Sequence, residues 1–253
     1  MTRRGTKAEV AIVTMVAFGL IIISAAVVKE AANSYVCVLG ALSLFSLFLG
    51  RWLNGRLLGI FIGDRNLMSL SRLQMVVWTV LILAAYLTIC LRRVHNGVAA
   101  PLMINVDWHL LALMGISTVS LIGSPVLLGN KIQKEAHSDA VKKAADQLKE
   151  DPLEIRQNCC GTLYLNKSVN DASFADIFQG DEIGNTAYID AAKLQMFLFT
   201  FIGLIVYAAA LLQMFSSKTY SEMPSISDGW IALLGISHAG YLTSKTSDHT
   251  QTA

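Results

Sequence analysis

The sequence predicts an all-α integral membrane protein with about six transmembrane helices. Three observations carry that prediction. Of the 253 residues, 54% are hydrophobic and only 15% are charged, with a mean hydropathy of +0.52. A soluble domain carries about 25% charged residues. The apolar residues gather in runs near 9–28, 35–50, 73–91, 109–129, 194–214 and 230–244. About 20 helical residues cross a bilayer, so the runs have the right length. Finally, the chain repeats itself, as two parallel helical hairpins.

Taken in order, residues 1–56 read as an N-terminal two-helix hairpin. Its opening, "MTRRGTKAEVAIVTMVAFGLIIISAAVV", has a basic start, but the apolar run is too long for a signal peptide and no small-x-small cleavage site follows. A retained first helix is expected. Residues 57–131 form membrane repeat 1, 132–179 a polar insert, 180–245 membrane repeat 2 and 246–253 a tail. The last apolar run is short. Its 15 residues (230–244) reach about 22 Å, against a hydrocarbon core of about 30 Å. It crosses a thinned bilayer, extends backward into "PSISDG", or re-enters without crossing.

Basic residues orient the spans. Arg3, Arg4 and Lys7 precede the first run, Arg51, Arg56, Arg65 and Arg72 separate the second from the third, and Lys131, Lys134, Lys142, Lys143, Lys149, Arg156, Lys167 and Lys193 separate the fourth from the fifth. The other connections hold only Lys29, then Arg92 and Arg93, then Lys218. This alternation predicts a cytoplasmic N-terminus and, after six crossings, a cytoplasmic C-terminus. The net charge of +2 says little about partners, and no nucleic-acid partner is expected. Cys37, Cys90, Cys159 and Cys160 match neither a disulfide framework nor a metal site.

In the insert, "IQKEAHSDAVKKAADQLKED" reads as a charged helix continuing from the fourth span and broken at Pro152. "GTLYLNKS" reads as a short strand or turn, and "FADIFQG" places Phe174, Ile177 and Phe178 on one helical face. A cytoplasmic protein partner is expected at residues 132–179.

The duplication aligns "GIFIGDRNLMSLSRLQMVVWTVLILAAY", from Gly59, with "GDEIGNTAYIDAAKLQMFLFTFIGLIVY", from Gly180, at an offset of 121. Identities include Gly63/Gly184, Gln74/Gln195, Thr79/Thr200 and Tyr86/Tyr207. "LALMGIST" then faces "IALLGISH" at an offset of 120, pairing Ser117 with Ser237. Both units start on the same side, so the repeats are parallel. Ser69 and Asp190 are expected to cap the incoming helices, with Arg72 and Lys193 snorkelling to head groups. Gln74, Trp78, Ile82 and Tyr86 share one helix face; Gln195, Phe199, Gly203 and Tyr207 repeat it. That face is a seam between helices or the lining of a path. Small residues four apart, Gly235/Ala239, Gly240/Ser244 and Ser120/Ser124, predict close helix approach.

His238 stands where the first unit has Thr118. An ionisable group inside a span is a functional candidate. The candidate pathway or inter-helix polar residues are therefore Gln74, Tyr86, Ser117, Gln195, Tyr207, Ser237 and His238. There is no Walker A motif, no G-x-G-x-x-G turn and no H-E-x-x-H, so no cofactor, metal site or catalytic residue is assigned.

At "SRLQM…LMGIS" and "AKLQM…LLGISHAGYL" the chain resembles uncharacterised prokaryotic multi-pass membrane proteins, over most of residues 57–245. The resemblance implies a prokaryotic inner membrane and no activity. A serine on the fourth span and a histidine on the sixth also resemble the layout of rhomboid proteases, with Ser117 as nucleophile and His238 as base. This chain departs from that pattern at Thr118, where the rhomboid serine motif has a glycine. The expected function is a homo-oligomeric channel or pore-like protein for ions or small solutes. The alternative is a non-conducting scaffold or signalling component whose residues 132–179 bind a partner, and an intramembrane serine protease is the third reading.

Overall fold

The computed structural model describes residues 6–26, 28–217 and 222–250. Arg3, Arg4 and Lys218 of the charge pattern lie outside the described residues, as do residues 251–253 of the tail. Among the described residues the fold is helical apart from a hairpin of two two-residue strands. Its helices are α1 (Lys7–Ala26), α2 (Ala31–Asn54), α3 (Leu70–His95), α4 (Trp108–Gly129), α5 (Ser138–Leu148), α6 (Pro152–Gln157), α7 (Ala191–Ser216) and α8 (Asp228–Thr246). Short 3-10 turns occupy Leu57–Phe61, Val169–Asp171 and Phe174–Ile177.

Among the described residues, α2, α3, α4 and α7 are long and apolar enough to cross a membrane. The apolar stretch of α1 is shorter, Ala8–Ser24. Exposed faces are apolar too: Leu111, Val119, Ile122 and Val126 on α4, and Leu198, Phe201, Ile202, Ile205 and Val206 on α7. Soluble monomers rarely display apolar stripes of that length. These helices support a membrane location. Helix α8 begins at Asp228, inside the "PSISDG" stretch, which lengthens the sixth apolar segment to 19 residues.

The chain divides into two compact units. The first is Met1–Ile60, Met75–Met114 and Phe201–Ile231; the second is Phe61–Gln74, Gly115–Thr200 and Ala232–Ala253.

In the first unit α1 packs on α2, where the Ser24 hydroxyl donates to the Ser34 carbonyl at 3.1 Å and both serines are fully buried. Tyr35 stacks on Phe215 with ring centroids 4.9 Å apart. Helix α2 stops at Gly55, whose φ of 77° suits a left-handed cap. The chain then turns back on α2. A Cβ at Gly59 would lie 2.5 Å from the Gly50 carbonyl oxygen, so only hydrogen fits there. Gly203 similarly admits the Trp230 indole, 2.9 Å from where a Cβ would stand.

In the second unit the caps fall where expected. Ser69 Oγ accepts from the Arg72 N–H at 3.4 Å, and Asp190 Oδ1 from the Ala192 and Lys193 N–H groups at 2.9 and 3.1 Å. The charged helix does not continue from α4. Helix α4 ends at Gly129, and α5 starts afresh behind His137, whose Nδ1 accepts from Asp139 N–H at 3.4 Å. Pro152 opens α6 rather than merely ending α5, because proline lacks only an N–H that a first turn leaves unpaired anyway. The apolar face of α5, Val141, Ala144 and Ala145, packs on Ile155 and Ile183. The hairpin pairs Cys159–Cys160 with Leu163–Tyr164 around Gly161. Of Phe174, Ile177 and Phe178, only Ile177 is buried; Phe174 and Phe178 meet edge-on against Phe197.

The glycines of α8 do not mediate close packing. A Cβ at Gly235 or Gly240 would meet nothing within 4 Å. Helix α8 instead buries Leu234, Ser237, His238, Tyr241 and Lys245. Ala239 and Gly240 lie on the exposed side of the helix.

Candidate functional site

Within the second unit, polar side chains lie in three successive layers one helical turn apart. On α8 they are His238, Tyr241 and Lys245, at i, i+3 and i+7, the spacing of one helix face. Every layer is completed from other segments.

The first layer centres on His238. Its Nε2 lies 2.8 Å from Gln74 Nε2 on α3, and its Nδ1 lies 2.5 Å from Ser120 Oγ on α4. The Gln74 amide also donates to Thr200 Oγ1 on α7. The His238 ring thus bonds α3 through Nε2 and α4 through Nδ1. Two buried atoms of this turn, Gln74 Oε1 and Ser237 Oγ, have no protein partner.

The second layer is Tyr241, whose hydroxyl lies 2.9 Å from Ser71 Oγ and donates to Ser124 Oγ at 3.3 Å. In the third, Asp181 receives three cations. Arg65 reaches Oδ1 at 2.5 Å and Lys193 reaches it at 3.2 Å, while Lys245 bonds Oδ2. Lys245 Nζ also lies 4.4 Å from the centre of the Tyr241 ring, joining the lower layers. Beside them Lys131 pairs with Glu182 at 2.5 Å, both side chains at most 3% exposed. Burial alone pushes the Asp181 carboxyl up, but Lys193, Lys245 and Arg65 outweigh it and hold Asp181 well below the usual carboxylate range.

No protein-family model, no curated protein and no solved structure matches this chain. The chemistry of the site therefore carries the functional reading.

The predicted site residues separate. Gln74, Ser117, Ser237 and His238 are all buried in the second unit, at 1–4% exposure. Gln195 is exposed, so the Gln74 face is not reused at the same depth in the second repeat. The buried positions there are Lys193, Met196 and Thr200, a face displaced around the helix. Lys193 accordingly does not snorkel to head groups; its ammonium turns inward to the Gln179 carbonyl and Asp181. Arg72 stays 40% exposed beside Asp64. Both ring nitrogens of His238 are taken by Gln74 and Ser120, so the geometry forms no Ser117–His238 dyad.

Tyr86 and Tyr207 belong to the first unit. Their hydroxyls donate to the Leu102 and Pro224 carbonyls at 3.0 and 3.2 Å, 16 and 17 residues onward. Each tyrosine thus ties its helix to the connection that follows it. The same unit holds a second polar group: His109 Nδ1 is 2.7 Å from Asp107 and Nε2 is 2.6 Å from Asp228. Hydrogen bonds from the His109 backbone and ring lower the Asp107 pKa. Among the described residues no cluster of His, Cys, Asp or Glu is placed to hold a metal ion.

Sequence reasoning missed Ser120, Tyr241, Lys245, Asp181 and Arg65 as site members. The available signal was the 238–241–245 spacing. Asp181 and Arg65 carried no local signal, since their contact joins positions 116 residues apart.

Proposed function

We propose that this chain is a homo-oligomeric channel for ions or small solutes, spanning a prokaryotic inner membrane six times with both termini cytoplasmic. The observation supporting it is the layered polar interior of the second unit. Buried hydroxyl, amide, imidazole and charged groups are costly in a membrane protein and mark substrate or ion pathways. Here they follow one another along α8 rather than scattering. The six-span count draws support from α8, which reaches about 28 Å at 19 residues and exposes Leu233 and Ile236.

The test is flux into proteoliposomes. Gln74→Ala and His238→Ala are expected to change the rate, as both remove a member of the first layer. Absence of flux under every ion gradient sinks the channel reading. A scaffold role for residues 132–179 draws support from the exposed charges of α5, Asp139, Lys142, Lys143 and Asp146. Charge reversal at Lys142 and Lys143 is then expected to abolish a protein interaction without altering flux.

A further inference from the structure

We propose that the transported species is a small monovalent anion, a halide or nitrate, selected by the Arg65–Lys193–Lys245 cluster. This rests on the channel reading above and names its substrate class.

The charge balance carries the argument. Three cationic groups converge on one carboxylate, Asp181, and leave two positive charges without a counter-charge. The neighbouring Glu182 is no compensation, because Lys131 already pairs with it at 2.5 Å. Lys193 and Lys245 are 7% and 2% exposed at the side chain, so bulk counter-ions screen them poorly. Arg65, at 25%, is the one that reaches solvent. Rings of Arg and Lys line anion pores, whereas cation pores use Asp and Glu.

The rest of the ladder agrees. The helix segments bearing it, in α3, α4, α7 and α8, contain no Asp or Glu apart from Asp228 at the very start of α8. A desolvated cation would find few full negative charges there. A desolvated anion would find hydroxyl donors in Ser124 and Thr200, which accept from Tyr241 and Gln74 and keep their own hydrogens. The Ser237 hydroxyl, buried and without a protein partner, has its hydrogen free to give. Asp181 then keeps the lysines in place and sets their excess at two charges rather than three.

The experiment is the reversal potential of the full-length protein in planar bilayers across a potassium chloride gradient, repeated with nitrate. The expected reversal lies near the anion equilibrium potential. Lys193→Gln and Lys245→Gln are each expected to lower the anion-to-cation permeability ratio about tenfold, since each removes a full charge from a poorly screened site. Reversal at the potassium or proton potential overturns the proposal while leaving a channel. No current under any gradient overturns the channel reading itself. Where the buried lysine variants do not assemble, Arg65→Gln and the wild-type reversal potential decide. Bilayers of phosphatidylcholine with and without phosphatidylglycerol separate a free anion from a lipid head group. Equal selectivity in both supports the free anion; conduction that requires phosphatidylglycerol overturns it.

Discussion

Replacing Asp181 by Asn tests the third layer most directly. The substitution keeps shape and removes the charge that faces Arg65 at 2.5 Å, Lys193 at 3.2 Å and Lys245. Lys193 would retain the Gln179 carbonyl, and Lys245 only the Tyr241 ring. Removing one partner of a buried ion pair costs about 3–5 kcal/mol, because the other charge stays desolvated. At about 2–4 °C per kcal/mol for a chain of this size, the melting midpoint in detergent should fall by about 6–20 °C. Asp181 has a depressed folded pKa. Its contribution is therefore fully present above the unfolded value of about 3.9 and is lost only as pH falls through the lower folded value. The difference between wild type and Asp181→Asn should stay constant from about pH 8 to 5 and shrink in stronger acid. Adding Lys245→Gln to Asp181→Asn should recover part of the loss, as it removes an orphaned charge. A midpoint unchanged by Asp181→Asn would refute this account of the layer.

Three further outcomes follow from the same geometry. Gln74→Leu should destabilise by about 1–3 kcal/mol by stranding His238 and Thr200, whereas Gln195→Leu, at the equivalent repeat position but exposed, should cost nothing in a denaturant titration. Gly59→Ala places a methyl 2.5 Å from the Gly50 carbonyl and should cost about 1–3 kcal/mol; a wild-type melting midpoint would show that α2 and the turn can separate freely. Ser237→Ala should be neutral or slightly stabilising, since its buried hydroxyl has no protein partner, while Ser120→Ala should lose about 1 kcal/mol with its bond to His238. Equal losses for the two serines would show that Ser237 is held by something other than protein.

Local features were the most legible. Ser69 and Asp190 act through bonds to residues two or three positions away, so their capping role is written in short stretches. The interrupted passage from α4 to α5 was less so. Charge and helix propensity favour continuation, but Lys131 is drawn into its buried pair with Glu182 and the chain turns there. Lys193 misled for the same reason. A lysine at the start of a span ordinarily snorkels, and only the distant Asp181 gives it a reason to turn inward.

The sequence by itself determined the membrane-type composition, the self-similar stretches, the helix caps and the candidacy of His238. These depend on composition, local bonding and self-similarity. Only the tertiary structure decided that Gln74 faces inward while Gln195 faces out, and that His238 bonds Ser120 rather than Ser117. In lipid, apolar side chains are stable against neighbouring helices and acyl chains alike. Periodicity therefore locates a helix without saying which face is inside. Contacts such as Arg65–Asp181, between residues remote in sequence, settle that orientation once the helices pack.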